Sequence, residues 1–286
     1  MKIPGYVSSE FIRMVLKEDI GRGDLTTELT FGGHINGTGT VRAKEDLILC
    51  GIDLAGFIFK QVNPELNIEV YGRDGSLIKK GDKILKVRGV AGSVLTSERV
   101  VLNFLQRLSG IATLTSLYVA ELAEGVDTKI VDTRKTTPGW RTLEKYAVRV
   151  GGALNHRFGL DDGIMIKDNH IEMAGSIEKA VKAVRAGCHH LLKIEVEVTN
   201  INEVQQALDA DADVIMLDNM SVEMMKRAVK LIGTKAVTEI SGGVRLDKIK
   251  ELSLVGADFI SVGALTHSAV AKDIDLTLKT RCKYEV

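Results

Sequence analysis

Two glycine-rich tips near the end of the chain carry the first chemical signal. ISGGV (240–244) and SVGALTH (261–267) each pass from a short apolar run into a helical one. Glycine lets the backbone approach an anion closely, and a helix start offers free N–H groups and a positive dipole end. Glycines are common in tight loops for purely structural reasons. Two such tips in succession still favour a phosphate cradle built from Ser241, Gly242, Gly243 and Gly263, as in the loops after the last two strands of a β/α barrel.

The second signal is cationic. DTRKTTPGWR (132–141) and NHRFGLDDGIMIKDNH (155–170) supply Arg134, Lys135, Arg141, His156, Arg157, Lys167 and His170. Guanidinium forks suit carboxylates and phosphates, and lysine adds a point charge. Arg99 joins them if its helix faces the barrel mouth. The chain as a whole is neutral, with 38 basic and 38 acidic residues, so this density is local and implies a small anionic substrate in a pocket. A lone arginine is usually a solvated surface charge, which is the better reading of Arg141 and Arg149. It is a weak one for Lys167, which stands at a strand tip between Ile166 and Asp168.

The third signal is a set of acids, Asp132, Glu195, Glu197 and Asp218. Glu195 and Glu197 are two apart and share one face of a strand. Carboxylates beside a phosphate site suit magnesium or sugar hydroxyls. The plainer reading of Glu195 is an ion pair with a lysine inside the barrel. Lys167 could also form a Schiff base, as barrel aldolases do. There is no Walker A sequence, no GxGxxG after a first strand, no HExxH and no serine nucleophile elbow.

These residues need elements to hold them. KIVDTRK, GIMIKDNH, LLKIEVEV, DVIMLDN, AVTEISGG and DFISVGA are apolar runs that each end in a polar or glycine tip. The later ones recur roughly every 20–25 residues, the length of a strand, a helix and two short loops. SIEKAVKAVRAG, NINEVQQALDA, SVEMMKRAVKLIG and RLDKIKELSLVGA read as the intervening helices, with a capping-box spacing at Asn200 and Glu203. Alternating strands and helices predict a parallel sheet with right-handed crossovers, either a β/α barrel or an open doubly wound sheet. The region before it lacks that rhythm. It reads as a helix over 8–19, a turn-rich EDIGRGDLTTE, strands in TGTVRAKEDLILCG, a helix ended by Pro64, a strand–turn–strand unit over 67–89, and a long helix over 96–125 with a possible break near Ser109-Gly110.

Composition narrows the class. The chain has 286 residues, 45% hydrophobic and 27% charged, the balance of a soluble globular enzyme. Zero net charge argues against a nucleic-acid binder that works by bulk charge. Cys50, Cys188 and Cys282 form no CxxC pair and suggest buried thiols rather than a disulfide framework or a zinc site. No signal-peptide core and no run of about 18 apolar residues is present. The expectation is a cytoplasmic protein with no membrane span.

At this point the motifs are specific enough for a resemblance. SERVVLNFLQRLSGIAT, DTRKTTPGWRTLEKYAVRVGG, NHRFGLDDGIMIKDNH, IEVEV, MLDN, EISGGV and SVGALTHS, in that order, closely resemble the quinolinate phosphoribosyltransferase family, also called nicotinate-nucleotide pyrophosphorylase (carboxylating). GDLTT and DGSLIKKGDKIL fit as well. Val150 stands where the family suggests cysteine, and Ala153-Leu154 replaces a more glycine-rich stretch. The resemblance implies an α/β fold: an N-terminal α/β sandwich-like domain over 1–108, an incomplete seven-stranded α/β barrel over 109–271, and a tail, 272–286, that returns to the first domain. It implies transfer of phosphoribose from phosphoribosyl pyrophosphate to quinolinate with decarboxylation, giving nicotinate mononucleotide in de novo NAD biosynthesis, with Mg2+. It further implies a homodimer in which Arg99 completes the neighbouring site.

By the same resemblance Arg99, Arg134, His156, Arg157 and Lys167 hold the diacid, and Lys135 faces quinolinate or pyrophosphate. Ser241, Gly242, Gly243 and Gly263 hold the 5-phosphate, and Glu197 and Asp218 bind ribose hydroxyls and the metal. Lys135, Lys167, Glu197 and Asp218 form the catalytic group. A related protein of molybdenum-transport operons and a non-catalytic phosphate-binding barrel are the alternatives; the intact NHR and KDNH segments favour the enzyme.

Overall fold

The computed structural model describes Gly5 and residues 7–280. In chain order the elements are α1 (Ser9–Ile20), α2 (Leu25–Phe31), β1 (Asn36–Ala43), β2 (Leu47–Ile48), α3 (Ile52–Val62), β3 (Asn67–Val70), β4 (Leu77–Ile78), β5 (Lys83–Val90) and α4 (Ala91–Ala120). There follow β6 (Lys129–Val131), α5 (Arg141–Val150), β7 (Ile164–Ile166), α6 (Asp168–Ala174), α7 (Ile177–Gly187), β8 (Ile194–Val198), α8 (Ile201–Asp209) and β9 (Val214–Asp218). The chain continues with α9 (Val222–Ile232), β10 (Val237–Ser241), a 3-10 turn at Leu246–Lys248, α10 (Ile249–Ser253), β11 (Phe259–Ser261), α11 (Ala264–His267) and β12 (Ile274–Thr280). The described residues divide into two compact units. One takes the chain up to Ser116, Thr142–Gly152 and the segment from Ala269; the other takes Leu117–Arg141 and Ala153–Ser268.

The first unit is built on an antiparallel sheet of order β12-β1-β5-β3. Along β1, Gly37, Gly39, Val41 and Ala43 face the core and alternate with less buried residues, the period-2 pattern of a one-sided sheet. A Cβ on Gly39 would come within 2.9 Å of Val87, so the core side of this strand is packed too closely for a side chain there. Helix α3 is buried through Leu54–Phe59, and the Asp74 carboxylate accepts the amides of Gly51 and Ile52 at its start. Two expectations are corrected here. EDIGRGDLTTE is not all turn: Asp24 accepts the Thr27 amide at 3.0 Å and caps α2. Helix α4, 30 residues long, runs unbroken through Ser109-Gly110. A Cβ on Gly110 would lie 2.2 Å from the Val270 carbonyl oxygen, so glycine serves a close backbone approach and not a break. Helix α4 is also long and apolar enough to cross a membrane, yet 61% of its apolar window is buried within the fold. Its Arg107 ion-pairs with buried Glu144 at 2.8 Å, as suits a core helix.

The second unit carries the parallel sheet, order β6-β11-β10-β9-β8-β7. Leu154 extends it by one parallel bridge to Val131: its N–H donates to the Ile130 carbonyl at 2.9 Å, and its carbonyl accepts from the Asp132 N–H at 3.2 Å. The strands therefore follow barrel order, with six in one sheet and Leu154 as a one-residue seventh, and no ladder joins Leu154 to β7 among the described residues. Ile215, Leu217, Ile240 and Ile260 are fully buried, while Glu195, Glu197, Asp218, Glu239 and Ser241 occupy alternate positions. Helices α7, α8 and α9 start at Ser176, Asn200 and Ser221, whose side chains accept the amide three residues on. The longer gaps before Lys167 and Glu197 are filled by α5 and by the pair α6 and α7.

Candidate active site

A cavity of about 500 Å³ opens at the carboxyl ends of the parallel strands. Arg134 and Lys135 reach it from the loop after β6, His156 and Arg157 from the loop after Leu154, and Lys167 from the end of β7. Glu197, Asp218 and the Ser241–Gly243 turn come from the ends of β8, β9 and β10. Every barrel strand but β11 contributes one of the residues singled out from sequence, and β11 contributes Ser261. The wall is polarised: cations from the first three strands face acids and glycines from the later ones.

The two arginines stand close together. Arg157 donates Nη1 to the Gly163 carbonyl at 2.7 Å. Burial, and then the neighbouring Arg134 guanidinium, hold Arg157 below the ordinary arginine value. Arg134 Nε is buried with no hydrogen-bond partner. An unsatisfied guanidinium beside a second one is costly unless an anion arrives. Lys167 Nζ meets Glu197 Oε2 at 2.5 Å, a contact that engages the amine and places it poorly for Schiff-base chemistry. The aldolase alternative therefore has no support in this geometry.

Neighbouring residues buttress these groups. Buried Asp132 accepts the Asn155 side-chain amide at 2.7 Å and the His156 backbone amide at 2.8 Å, which fixes the loop carrying Arg157. His170 Nδ1 accepts the Lys167 backbone amide at 3.0 Å, making it a cap for α6 and not a member of the cationic wall. Arg141 braces Thr136 and the Phe158 carbonyl. Asn219, at φ 51°, donates to Asp218 Oδ2 at 2.6 Å.

The glycine tips behave differently from each other. Gly242 has φ 89°, and a Cβ there would lie 2.4 Å from Asn219; Gly243 has φ 59° and open space beside it. Both line the cavity. Gly263 does not: it sits at φ −67° with a virtual Cβ 3.0 Å from the Lys135 side chain, and so makes room for that lysine. The first tip leads through a 3-10 turn directly into α10, and the second into only the four residues of α11. Arg99 is exposed on α4 and is not among the residues lining this cavity.

His156 is turned inward. Its Nδ1 accepts the Arg157 amide at 2.7 Å, while Nε2 lies 3.2 Å from Glu195 Oε2 and 3.6 Å from Glu239 Oε1. Burial, and then the Glu195 charge, push the Glu239 carboxyl up to about 7. Glu239 escaped the sequence reading. The same alternation that paired Glu195 with Glu197 puts it on one face with Ser241, but it lies inside an apolar run rather than at its tip.

The chain matches the description "Quinolinate phosphoribosyl transferase, N-terminal domain" over residues 24–109 and "Quinolinate phosphoribosyl transferase, C-terminal domain" over 111–277. It belongs to the quinolinate phosphoribosyltransferase family. A probable nicotinate-nucleotide pyrophosphorylase [carboxylating] from Synechocystis is 44% identical, covering 91% of this chain and 89% of its own length. One from Bacillus subtilis is also 44% identical, covering 91% and 90%. The crystal structure of NadC from Streptococcus pyogenes superposes with a TM-score of 0.93 at 38% identity, over 98% of this chain and 99% of that one. The quinolinate phosphoribosyltransferase fold accounts for both units of the chain, the antiparallel sheet as well as the parallel one.

Proposed function

We propose that this chain is a nicotinate-nucleotide pyrophosphorylase (carboxylating), joining quinolinate to phosphoribosyl pyrophosphate with loss of CO2 in de novo NAD biosynthesis. The observation that carries the reading is the polarised cavity, with Arg134, Arg157 and Lys167 opposite Glu197, Asp218 and the Gly242-Gly243 turn. A planar diacid needs at least two fixed cations, and the partnerless Arg134 Nε is a donor waiting for one. Arg134, Arg157 and Lys167 grip the two ring carboxylates. His156 closes the wall, and Arg99 of a neighbouring copy completes it in a homodimer.

The Ser241-Gly242-Gly243 turn, with Gly263 giving room to Lys135, receives the 5-phosphate and the pyrophosphate side of the donor. The ring nitrogen attacks the anomeric carbon as its bond to pyrophosphate oxygen breaks, through an oxocarbenium-like state. Glu197 and Asp218 hold the ribose hydroxyls. Their hard carboxylate oxygens also fit Mg2+, which commonly binds through one or two carboxylates plus substrate phosphates. When bound, the ion would neutralise charge developing on the leaving pyrophosphate. The ring nitrogen is then cationic, so the bond from C2 to its carboxylate can break, leaving CO2 and a stabilised C2 carbanion that takes up one proton. The fixed cations around the carboxylates hold this geometry without reorganising. We place the enzyme in the cytoplasm; Cys50 and Cys188 are unpaired thiols, and burial pushes Cys50 far above its reactive range. Cys282 lies outside the described residues.

The test is direct. Purified protein with quinolinate, phosphoribosyl pyrophosphate and Mg2+ should form nicotinate mononucleotide and release CO2 in equal amounts. Nicotinate in place of quinolinate should be a poor substrate. No product from quinolinate would end the reading.

A further inference from the structure

At the inner wall of the cavity the barrel holds two carboxylates and one imidazole, of which His156 and Glu239 line the cavity. Glu195 on β8 and Glu239 on β10 are 6% and 4% exposed. The Oε1 atom of each is buried without a hydrogen-bond partner. One oxygen of each acid and one nitrogen of His156 all lie within 4.8 Å of one another, the spacing of a cation site. The imidazole argues against that use. Nδ1 accepts the Arg157 amide, so it carries no proton, and a neutral ring must then carry it on Nε2. An Nε2–H has no lone pair to give a metal; it is a donor aimed at the acids. Two carboxylates this deep cannot both stay ionised against a single neutral donor. One of them keeps a proton. Glu239, farther from Nε2, is the better seat for that proton.

We infer that Glu239 is a positioning residue: by carrying its proton it keeps a second charge away from Nε2, fixes His156 as the Nε2–H tautomer, and through Nδ1 locks the Arg157 backbone in the cavity wall. The inference rests on the reading that Arg157 holds a quinolinate carboxylate. The titratable groups facing Glu239 are Glu195 from β8 and His156 from the loop after Leu154. β9 faces it with Met216 and β11 with Ser261, neither of them charged. When Glu239 loses its proton to solvent, two buried carboxylates face one Nε2–H donor; their repulsion drives the acids and the ring apart, and the Nδ1 contact to the Arg157 N–H loosens.

Glu239→Gln keeps the shape and the neutral state. Between about pH 6 and about pH 8.5, wild-type KM for quinolinate should rise at least about fivefold with a smaller change in kcat, while Glu239→Gln holds KM within about twofold. A variant with the wild-type pH response, or one that loses more than about tenfold in kcat/KM near pH 6, would overturn the inference. Nitrogen-15 NMR of ring-labelled histidine, on the full chain without substrate, gives a second readout. A protonated Nε2 and bare Nδ1 for His156 near pH 6 support the inference, and a protonated Nδ1 sinks it. Because that spectrum needs no turnover, a chain that shows the Nε2–H ring but makes no nicotinate mononucleotide refutes the proposed reaction while supporting the tautomer.

Discussion

Arg134, Arg157 and Lys167 put more positive charge into one wall than the fold itself needs. The buried Arg134 Nε has no partner, and Arg157 is held below its ordinary value partly by Arg134. Groups arranged for an absent anion work against stability. Arg157→Ala and Lys167→Ala should therefore each cut nicotinate mononucleotide formation at least about a hundredfold. The Arg157 variant should hold or raise the thermal midpoint, and circular dichroism together with a melt separates this from unfolding. Retained activity in both would move the pocket elsewhere. Glu239 gives a stability prediction of its own. Its carboxyl is pushed up from 4.5 to about 7, so the folded state binds the proton more tightly than the unfolded chain. That contribution is complete below pH 4.5 and is lost as pH rises through about 7. Urea midpoints across this window should fall more for the wild type than for Glu239→Gln.

At the scale of elements, the glycine on α4 makes a clear test. With the Val270 carbonyl 2.2 Å from a virtual Cβ, Gly110→Ala must displace one backbone segment. It should cost about 1–3 kcal/mol in urea unfolding, although alanine is the better helix former. The opposite sign would show that the segment yields freely. The same glycine shows where sequence reasoning runs out. Gly110 resembles a helix break in the linear chain, and only the partner brought to it from Val270 explains it. Leu154 is a barrel strand of one residue and carries no periodicity to detect. By contrast, the tips at Lys167, Glu197, Asp218 and Ser241 were legible because each closes an apolar run, and α7, α8 and α9 because capping side chains and apolar spacing agree. Helices α5 and α6 are hard to see in sequence because their helical spacing is interrupted by chemistry-bearing residues. His156 was read as a cation because charge is a property of residue type, whereas its tautomer is set by neighbours far apart in the chain.

At the scale of the whole molecule, the shared-site reading of Arg99 predicts complementation. Arg99→Ala and Lys167→Ala should each be inactive alone. Co-expressed and allowed to pair at random, they should recover about a quarter of wild-type activity, because half of the dimers are mixed and one of their two sites is intact. No recovery would confine the reaction to one chain. One last consequence follows from β12, which pairs with β1 along seven register positions from Gly37–Thr280 to Ala43–Ile274. A chain still on the ribosome has made β1 long before β12, so throughout most of translation that strand presents bare amides and carbonyls on one side. Such an edge is a template for wrong partners. Nascent chains halted before Ile274 should thus be the aggregating species in the cell, and holding them apart, rather than assembling the catalytic cavity, becomes the step at which a chaperone has most to contribute.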